Sequence, residues 1–183
     1  GLENSDVAST GEFYSKGTAV APWGLWLSSG DLVKQIASFP TSVGGLIISK
    51  IDHIAQEDAL RINWTKSDGD YLRISSAKPN DMARQSNGAM ELTFNAKSFT
   101  GSDAVVQIGQ CDDNATCDNT LDITISGDWN EYRISLSCFE KLGLDMTNIT
   151  SALVIKAQKG VDIGLGNVRL ESDLDAKPGC DGN

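Results

Sequence analysis

The feature that most constrains the fold is a series of short segments in which apolar and polar residues alternate, separated by turn-forming residues. Alternation with a period of two is typical of strands, and convincing helical periodicity is nearly absent. In the segment at residues 23–29, Leu25 and Leu27 would lie on one face and Trp26 on the other. The 18 glycines and four prolines suit turns between such strands. The pattern predicts about ten strands, at residues 23–29, 46–52, 59–64, 71–75, 89–96, 104–109, 121–125, 130–136, 151–157 and 161–170.

These segments predict an all-β fold, a single jelly-roll β-sandwich with at most one short helix. The helix is expected after Ser137, in the run CFEKLG, with Gly143 as its stop signal. The turn TKSDGD joins the strands predicted at residues 59–64 and 71–75, and its Asp68-Gly69 pair is a hairpin signal. The chain of 183 residues suits one domain. We expect that domain at 11–172, a linker or disordered N-terminus at 1–10 and a polar tail at 173–183.

The charge balance argues against nucleic acid as a partner. The formal net charge is −10, and an acidic surface repels phosphate backbones while it tolerates neutral ligands such as sugars. No run of about 18 apolar residues appears, so no membrane span is predicted. Gly1 in place of Met and the lack of a signal peptide suggest a mature or excised fragment, and a monomer is expected.

Four cysteines indicate an oxidising compartment, so the protein is expected to be secreted, periplasmic or at a cell surface. Cys111 and Cys117 bracket a short loop, and a disulfide there is the preferred pairing. A second pair, Cys138 with Cys180, would fix the tail, although the sequence allows three full pairings and Cys138 is equally compatible with a buried free thiol. Zinc is disfavoured because the spacing is not CxxC and the chain has a single histidine.

Catalytic signatures are weak. His53 is the only histidine, and no G-x-S-x-G motif accompanies it, so a surface or sheet-edge position is the preferred interpretation. Paired carboxylates occur in any chain with 25 acidic residues, and the sequence does not give the distance between them. A phosphate-binding glycine loop is also missing, because no helix follows the Gly160–Gly166 run. The sequence therefore favours a chain that is not itself an enzyme.

Aromatic residues on strands favour sugar binding, because pyranose C–H faces pack on Trp and Tyr rings while hydroxyl groups bond to polar side chains. The alternative for each tryptophan is core packing, which is the preferred interpretation for Trp129, and the arginines are also compatible with solvated strand positions. The rings considered are Trp23, Trp26, Trp64, Tyr71 and Trp129, with Gln56, Asp58, Arg61, Asn63, Arg73 and Arg84 as nearby polar partners. The predicted carbohydrate-binding residues are Trp26, Trp64, Tyr71, Arg73, Gln56, Asp58 and Arg84.

No cofactor is predicted, but a structural Ca²⁺ is considered because jelly-roll modules often hold one, and Ca²⁺ needs six to eight oxygen ligands. The loop Asp112-Asp113-Asn114 with Asp118 has suitable ligand types. A solvated acidic loop is the preferred alternative, and a site that joins the N- and C-terminal strands is equally compatible. The identity and position of any metal therefore stay open.

Four segments in order carry a resemblance to a known family: DHIAQEDALRINW at 52–64, VVQIGQC at 105–111, DWNEYRISLSCFEKLGLDM at 128–146 and VDIGLGNVRL at 161–170. Together they resemble the C-terminal galactose-binding-like β-sandwich, of the ExoP type, found in bacterial exo-β-glucanases and β-glucosidases of glycoside hydrolase family 3. The family 3 nucleophile lies in a Ser-Asp-Trp motif within a (β/α)₈ barrel. Here Ser126-Gly127-Asp128-Trp129 contains an inserted glycine, and 183 residues are too few for that barrel.

The resemblance implies a non-catalytic carbohydrate-binding module, excised from a family 3 glycosidase, that binds a β-glucan or related polysaccharide. It also implies two partners, the polysaccharide and the catalytic domain of the parent enzyme. One alternative is a structural accessory domain that packs on the catalytic domain without a ligand of its own. A less favoured alternative is a small jelly-roll hydrolase or lyase, and fold alone does not separate these functions.

Overall fold

A computed structural model of the protein describes residues 11–66, 69–114, 117–172 and 180–182. Within these ranges the chain forms 14 strands and two short helices. In chain order they are β1 (Glu12–Ser15), β2 (Thr18–Ala19), β3 (Trp23–Ser29), β4 (Leu32–Gln35), β5 (Thr41–Val43), β6 (Leu46–Ile51), β7 (Ala59–Trp64), β8 (Asp70–Asn80), α1 (Ala83–Asn87), β9 (Met90–Ser98), β10 (Ala104–Asp112), β11 (Thr120–Ile125), β12 (Asn130–Ser135), α2 (Leu136–Lys141), β13 (Ile149–Ala157) and β14 (Asp162–Ser172).

The strands form two antiparallel sheets that make a sandwich, which confirms the all-β prediction. The first sheet has the order β12-β9-β14-β7-β6-β5, with β1 paired to β14 and β2 paired to β1. The second sheet has the order β11-β10-β13-β8-β3-β4. Because most neighbours in each sheet are distant in sequence, most hydrogen-bonded contacts between strands are long-range.

The core lies between the two sheets and is built by the alternation seen in the sequence. Leu25 and Leu27 of β3 are buried, whereas Trp26 between them is only partly buried, as predicted. On β7 the same alternation buries Leu60, Ile62 and Trp64. At about 25 cal/mol per Å² of apolar area removed from water, such inward rows supply most of the favourable free energy of folding.

The predicted hairpin at Asp68-Gly69 is wrong. Strand β7 pairs with β6 and β14 in the first sheet, whereas β8 pairs with β13 and β3 in the second. The connection therefore crosses from one sheet to the other, and Asp68 itself lies outside the described residues. A local turn signal does not reveal this, because the choice between a hairpin and a crossing depends on distant partner strands.

The strand and helix counts also differ from those predicted. All ten predicted strands are present, but β1, β2, β4, β5 and α1 were missed because each is five residues or shorter and carries little alternation. The residues of β4, for example, are all exposed. The predicted helix after Ser137 is confirmed as α2, which begins slightly earlier, and Gly143 beyond it has a φ of +100°.

Both predicted disulfides are present, Cys111–Cys117 and Cys138–Cys180, so Cys138 is not a free thiol. The second bond attaches residue 180 to α2, and the carbonyl oxygen of Gly182 accepts a hydrogen bond from the Arg133 amide at 3.1 Å. The predicted linker at 1–10 and most of the predicted tail, 173–179 and 183, lie outside the described residues. No helix in the described part of the chain is long and apolar enough to cross a membrane.

Candidate functional site

Three of the predicted sugar-binding residues come together on the outward surface of the second sheet. Trp26 lies on β3 directly opposite Arg73 of β8, and Tyr71 is two residues from Arg73 on the same face of β8. Because side chains alternate along a strand, the buried Leu72 and Ile74 point to the core while Tyr71 and Arg73 point outward. We call the surface formed by Trp26, Tyr71, Arg73, Gln107 and Lys156 the Trp26 face.

The Trp26 face extends across neighbouring strands as a row of polar and aromatic side chains. Tyr71 of β8 is opposite Lys156 of β13, Lys156 is opposite Gln107 of β10, and Gln107 is opposite Asp122 of β11. Strands lie about 4.8 Å apart, so four strands span about 14 Å. A surface of this length suits an extended ligand that lies across the strands.

The electrostatics of this face are set by two cations beside one aromatic ring. The Lys156 ammonium lies 4.8 Å, and the Arg73 guanidinium 5.9 Å, from the centroid of the Tyr71 ring. Lys156 also pairs with the exposed Asp118 at 3.0 Å. At the far end of the row, Gln107 Nε2 donates to Asp122 Oδ1 at 3.3 Å. Hydrogen-bond donors and acceptors therefore lie on the same face as the partly exposed Tyr71 ring.

Two depressions lie at the ends of the Trp26 face. The first, of about 190 Å³, is lined by Trp26, Val33 and Arg73 together with small hydroxyl side chains. The second, of about 620 Å³, lies at Gln107, Asp122 and Lys159. The face therefore has a pocket beside Trp26 and a wider depression at the opposite end.

Trp64 is not available to a ligand, which corrects its assignment as a sugar platform. Its side chain is fully buried, and Nε1 donates to the carbonyl oxygen of Asp70 at 2.9 Å. Trp23 is also buried, with its ring edge-on to Phe13 at 5.1 Å between centroids. Both rings have the core role that was the alternative interpretation for each tryptophan.

Gln56 and Asp58 do not join the Trp26 face. They lie in the loop between β6 and β7 and line a separate cleft of about 570 Å³ with His53, Ile54 and residues of β1 and β14. The Asp58 carboxylate accepts hydrogen bonds from the backbone amides of His53, Ile54 and Ala55 at 2.7–3.0 Å. Desolvation acts to raise the pKa of Asp58, but these three amides outweigh it, so the pKa is lowered. Asp58 therefore closes its own loop.

Arg84 lies exposed on α1 and does not line either depression of the Trp26 face. Arg61 and Asn63, on β7, belong to the first sheet. Arg61 forms a two-pronged pair with Asp162 through Nε at 2.9 Å and Nη2 at 2.8 Å. The hydrogen bond from Arg61 to Asp162 raises the pKa of Arg61.

Trp129 was expected in the core, but it packs on the outer surface of the first sheet. Its ring lies across Gly164, where a Cβ atom would come within 2.6 Å of Cη2 and 2.9 Å of Cζ2. The His53 ring stacks on Trp129 at 3.9 Å between centroids with an interplanar angle of 27°. His53 Nε2 lies 3.4 Å from Asn95 Nδ2. Since Trp129 is held between the sheet and His53, much of its ring is covered.

Three carboxyl groups among the described residues have a pKa that is clearly displaced. The carboxyl groups with clearly displaced pKa values are Asp58, Glu131 and Asp145, and each pKa is lowered. A general acid in a glycosidase requires the opposite shift, which keeps the carboxyl protonated near neutral pH. For Glu131, desolvation acts to raise the pKa, but the adjacent Arg133 and Arg169 outweigh it. These three carboxylates are therefore held as anions.

The acidic side chains of the predicted calcium loop bond to different partners. The Asp112 carboxylate accepts hydrogen bonds from the amides of Asn114 at 3.1 Å and Asp145 at 3.0 Å, whereas Asp118 pairs with Lys156. Within the described ranges, no group of three or more His, Cys, Asp or Glu side chains is arranged to hold a metal ion. Residues 115–116 of this loop lie outside those ranges, and a structural Ca²⁺ stays a prediction.

Fold and surface together define a galactose-binding-like β-sandwich with two disulfides. The family model Exop_C, described as a galactose-binding domain-like family, matches residues 21–170. The chain therefore belongs to the Exop_C family. No curated protein is significantly similar to it in sequence.

Solved structures with the same fold include the extra C-terminal domain of the exo-1,3/1,4-β-glucanase ExoP from a Pseudoalteromonas species. That domain is 14% identical with a TM-score of 0.67, and the match covers 93% of this chain and 98% of the domain. Against the structure of exo-1,3/1,4-β-glucanase ExoP, identity is 14% and the TM-score 0.68, and the match covers 98% of this chain but only 22% of that one. The chain thus spans about a fifth of that protein.

A family 11 carbohydrate-binding module from Clostridium thermocellum, in complex with a β-1,3-1,4-mixed-linked tetrasaccharide, has the same fold. It is 16% identical with a TM-score of 0.55, and the match covers 94% of this chain and 97% of the module. At these identities the likeness concerns the fold.

Lys156 and Gln107 were missed as site residues, although the sequence carried a usable signal. Each lies in a predicted alternating strand and has the outward parity, next to buried Ile155 and Ile108 respectively. The sequence did not reveal that β10 and β13 adjoin each other and β8, because that order depends on pairings between distant segments.

Proposed function

We propose that the chain is a non-catalytic carbohydrate-binding module that holds a β-glucan or related polysaccharide on the Trp26 face. The observation that carries this proposal is the grouping of Trp26, Tyr71 and Arg73 on one outward sheet surface. Partly exposed rings offer apolar area to sugar C–H faces, while Arg73, Lys156 and Gln107 supply hydrogen bonds to hydroxyl groups. The related module with a bound mixed-linkage tetrasaccharide supports this ligand class.

The proposal includes the surroundings of the module. Its partner would be the catalytic domain of a parent β-glucosidase or exo-β-glucanase, since the match to ExoP covers only part of that longer chain. The two disulfides favour an oxidising compartment outside the cytoplasm, in accord with a secreted, periplasmic or cell-surface protein. Such a module would act as a monomer that raises the local concentration of polymer at the enzyme.

The experiment that tests this function is affinity gel electrophoresis on laminarin, mixed-linkage β-glucan, a soluble cellulose derivative, xylan, agarose and alginate. Wild-type protein is expected to be retarded on at least one polymer. Trp26→Ala should lose most of that retardation, because stacking of a sugar ring on the indole is removed. Retention of binding by this variant would contradict the position of the site.

Trp129→Ala provides the matched control. Trp129 is the other partly exposed tryptophan of the chain, and it lies on the opposite sheet, where His53 covers it. The folded fraction of this variant is expected to be retarded as strongly as wild type. Loss of retardation in Trp129→Ala, with Trp26→Ala unaffected, would move the site to the first sheet.

One observation favours the structural accessory function as a second candidate. Ile54 is 81% exposed at the tip of the loop that carries His53 and Asp58, on the side away from the Trp26 face. Because Ile54 lines the cleft of about 570 Å³ together with Ala55 and Gly166, it belongs to a larger apolar surface that suits a contact with another domain. Absence of retardation on every polymer by folded wild-type protein would favour this candidate.

A further inference from the structure

Arg73 is a partly buried arginine that forms no ion pair with a carboxylate in the described part of the protein. Its Nε atom is buried and has no hydrogen-bond partner, and no described carboxylate lies within ion-pair distance of its guanidinium. The Arg73 guanidinium lies 5.9 Å from the centroid of the Tyr71 ring, a cation–π contact. Because Arg73 as a whole is only partly buried, its terminal Nη atoms stay open to an acceptor from outside the chain.

The other arginines differ from Arg73 in this respect. Three are ion-paired with carboxylates: Arg61 with Asp162, Arg133 with Glu131, and Arg169 with Glu131 and Glu171. The fourth, Arg84, is exposed to solvent on α1. In a chain of net charge −10, carboxylates are plentiful. The lack of one beside Arg73 in the described structure therefore leaves a local positive centre in an acidic protein.

The pocket next to Arg73 has the composition of an anion site. It measures about 190 Å³ and is bounded by the Trp26 ring, Val33 and a group of hydroxyl side chains. Ser75 Oγ and Ser151 Oγ lie 2.5 Å apart in its wall. Acidic side chains do not contribute to the lining of this pocket as far as the chain is described. A guanidinium with adjacent hydroxyl donors matches the geometry of a carboxylate or a sulfate group.

We propose that Arg73 binds an anionic substituent of the polysaccharide, a carboxylate of a uronic acid or a sulfate ester, in the pocket beside Trp26. This inference rests on the proposed function, because the same face must first hold the sugar chain. The polysaccharide backbone would lie over Trp26 and Tyr71, and the charged substituent would enter the pocket and accept hydrogen bonds from the Nη atoms of Arg73. A β-glucan-like polymer that carries acidic groups would therefore be preferred over its neutral counterpart.

The test uses one backbone in three forms: laminarin, laminarin oxidised at C6 to uronate, and sulfated laminarin. Binding of each form is measured at moderate salt for wild type, Arg73→Gln and Arg84→Gln. Wild type is expected to bind at least one charged form about tenfold more tightly than neutral laminarin, the size of one charge-assisted contact. Arg73→Gln should lose this gain, so that the ratio of its affinities for charged and neutral laminarin falls to about one, whatever its affinity for the neutral form. Arg84→Gln should behave as wild type.

The two charged forms separate the two sources of the anion. A gain for the oxidised form alone assigns a uronate, a gain for the sulfated form alone assigns a sulfate ester, and a gain for both assigns an anion of either kind. Because the protein carries a net charge of −10, a polyanion is repelled by the molecule as a whole. A gain that disappears in Arg73→Gln must therefore come from local contacts.

Several results would overturn the inference. Equal binding of all three forms by wild type would refute it while leaving the proposed function intact, and so would a gain that survives in Arg73→Gln. A gain lost equally in Arg84→Gln would indicate general charge effects and would also refute it. Failure to bind any of the three forms would refute this inference, whereas the proposed function is refuted only if none of the six polymers named above retards the protein. Arg73→Gln is expected to melt no lower than wild type, because it removes an unpaired cation, and Arg73→Lys supplies a second variant that keeps the charge but loses the two-pronged geometry.

Discussion

The contact between Gly164 and Trp129 gives a sharp test of how the first sheet is built. A Cβ at Gly164 would lie 2.6 Å and 2.9 Å from two ring carbons of Trp129, and 3.2 Å from Ile51 Cδ1. The ring has little room to retreat, because His53 stacks on it at 3.9 Å between centroids. Such overpacking typically costs about 1–3 kcal/mol. Alanine also makes the unfolded chain less flexible than glycine does, so less entropy is lost on folding, but this offsets only about 0.5–1 kcal/mol of the cost.

Gly164→Ala is therefore expected to lower the free energy of unfolding by about 1–2 kcal/mol. Urea unfolding followed by tryptophan fluorescence measures the midpoint and the m-value. In a Trp129→Ala background the clash is absent, so Gly164→Ala should cost nothing or stabilise slightly. Gly127→Ala is the matched control, since a Cβ there meets nothing within 4 Å. It should change stability by less than about 0.5 kcal/mol. Additive costs in the double mutant would refute the packing.

Three further perturbations test other parts of the structure. Trp64→Ala should lower the free energy of unfolding by about 3–5 kcal/mol, whereas Trp26→Ala, which removes a partly exposed ring, should cost about 1 kcal/mol or less; equal costs in chemical denaturation would contradict their different burial. Removal of the Cys138–Cys180 disulfide, bonded across 42 positions of sequence, in a Cys138→Ser/Cys180→Ser variant should lower the free energy of unfolding by about 4 kcal/mol; an unchanged urea midpoint would contradict a stabilising role for this bond. Asp58→Asn should cost about 1 kcal/mol at neutral pH. Because its folded-state pKa is lowered, the Asp58 contribution is present above the unfolded-state pKa and lost as pH falls through the folded value, so a stability difference that persists in acid would contradict its loop-closing role.

Periodicity explains which parts of the fold could be predicted. The parity of Leu25, Trp26 and Leu27 placed the indole outward because burial alternates from Trp23 to Leu27 on β3. The same rule places Trp64 inward, since it shares the parity of Leu60 and Ile62 on β7, so this error was avoidable from the sequence.

Local sequence patterns do not predict the order of strands in the two sheets. The turn before β8 reads as a hairpin, yet β8 joins the other sheet because β3 and β13 flank it there. For the same reason the sequence neighbours Gln56 and Asp58 are separated from Trp26, although all of them carry the chemistry of sugar binding. Their separation follows from which strands pair, and pairing depends on contacts between distant segments.

The support given by the first sheet to Trp129 was also invisible in the sequence. The ring fits because Gly164 offers no side chain beneath it and His53 closes above it. These residues belong to three separate segments, and none of them carries a motif for this arrangement. Only the assembled sheets show that His53 covers Trp129, whereas Trp26 lies beside a pocket.

The most direct test of the central claim is NMR titration with a β-1,3-1,4-mixed-linked tetrasaccharide, observed at the indole N–H signals of the four tryptophans. Binding on the Trp26 face predicts a saturable shift of the Trp26 signal. The Trp64 signal should stay in place, because its N–H is bonded to Asp70 within the core. The Trp129 signal should also stay in place. A shift at Trp129 without one at Trp26 would contradict the assignment of the binding face.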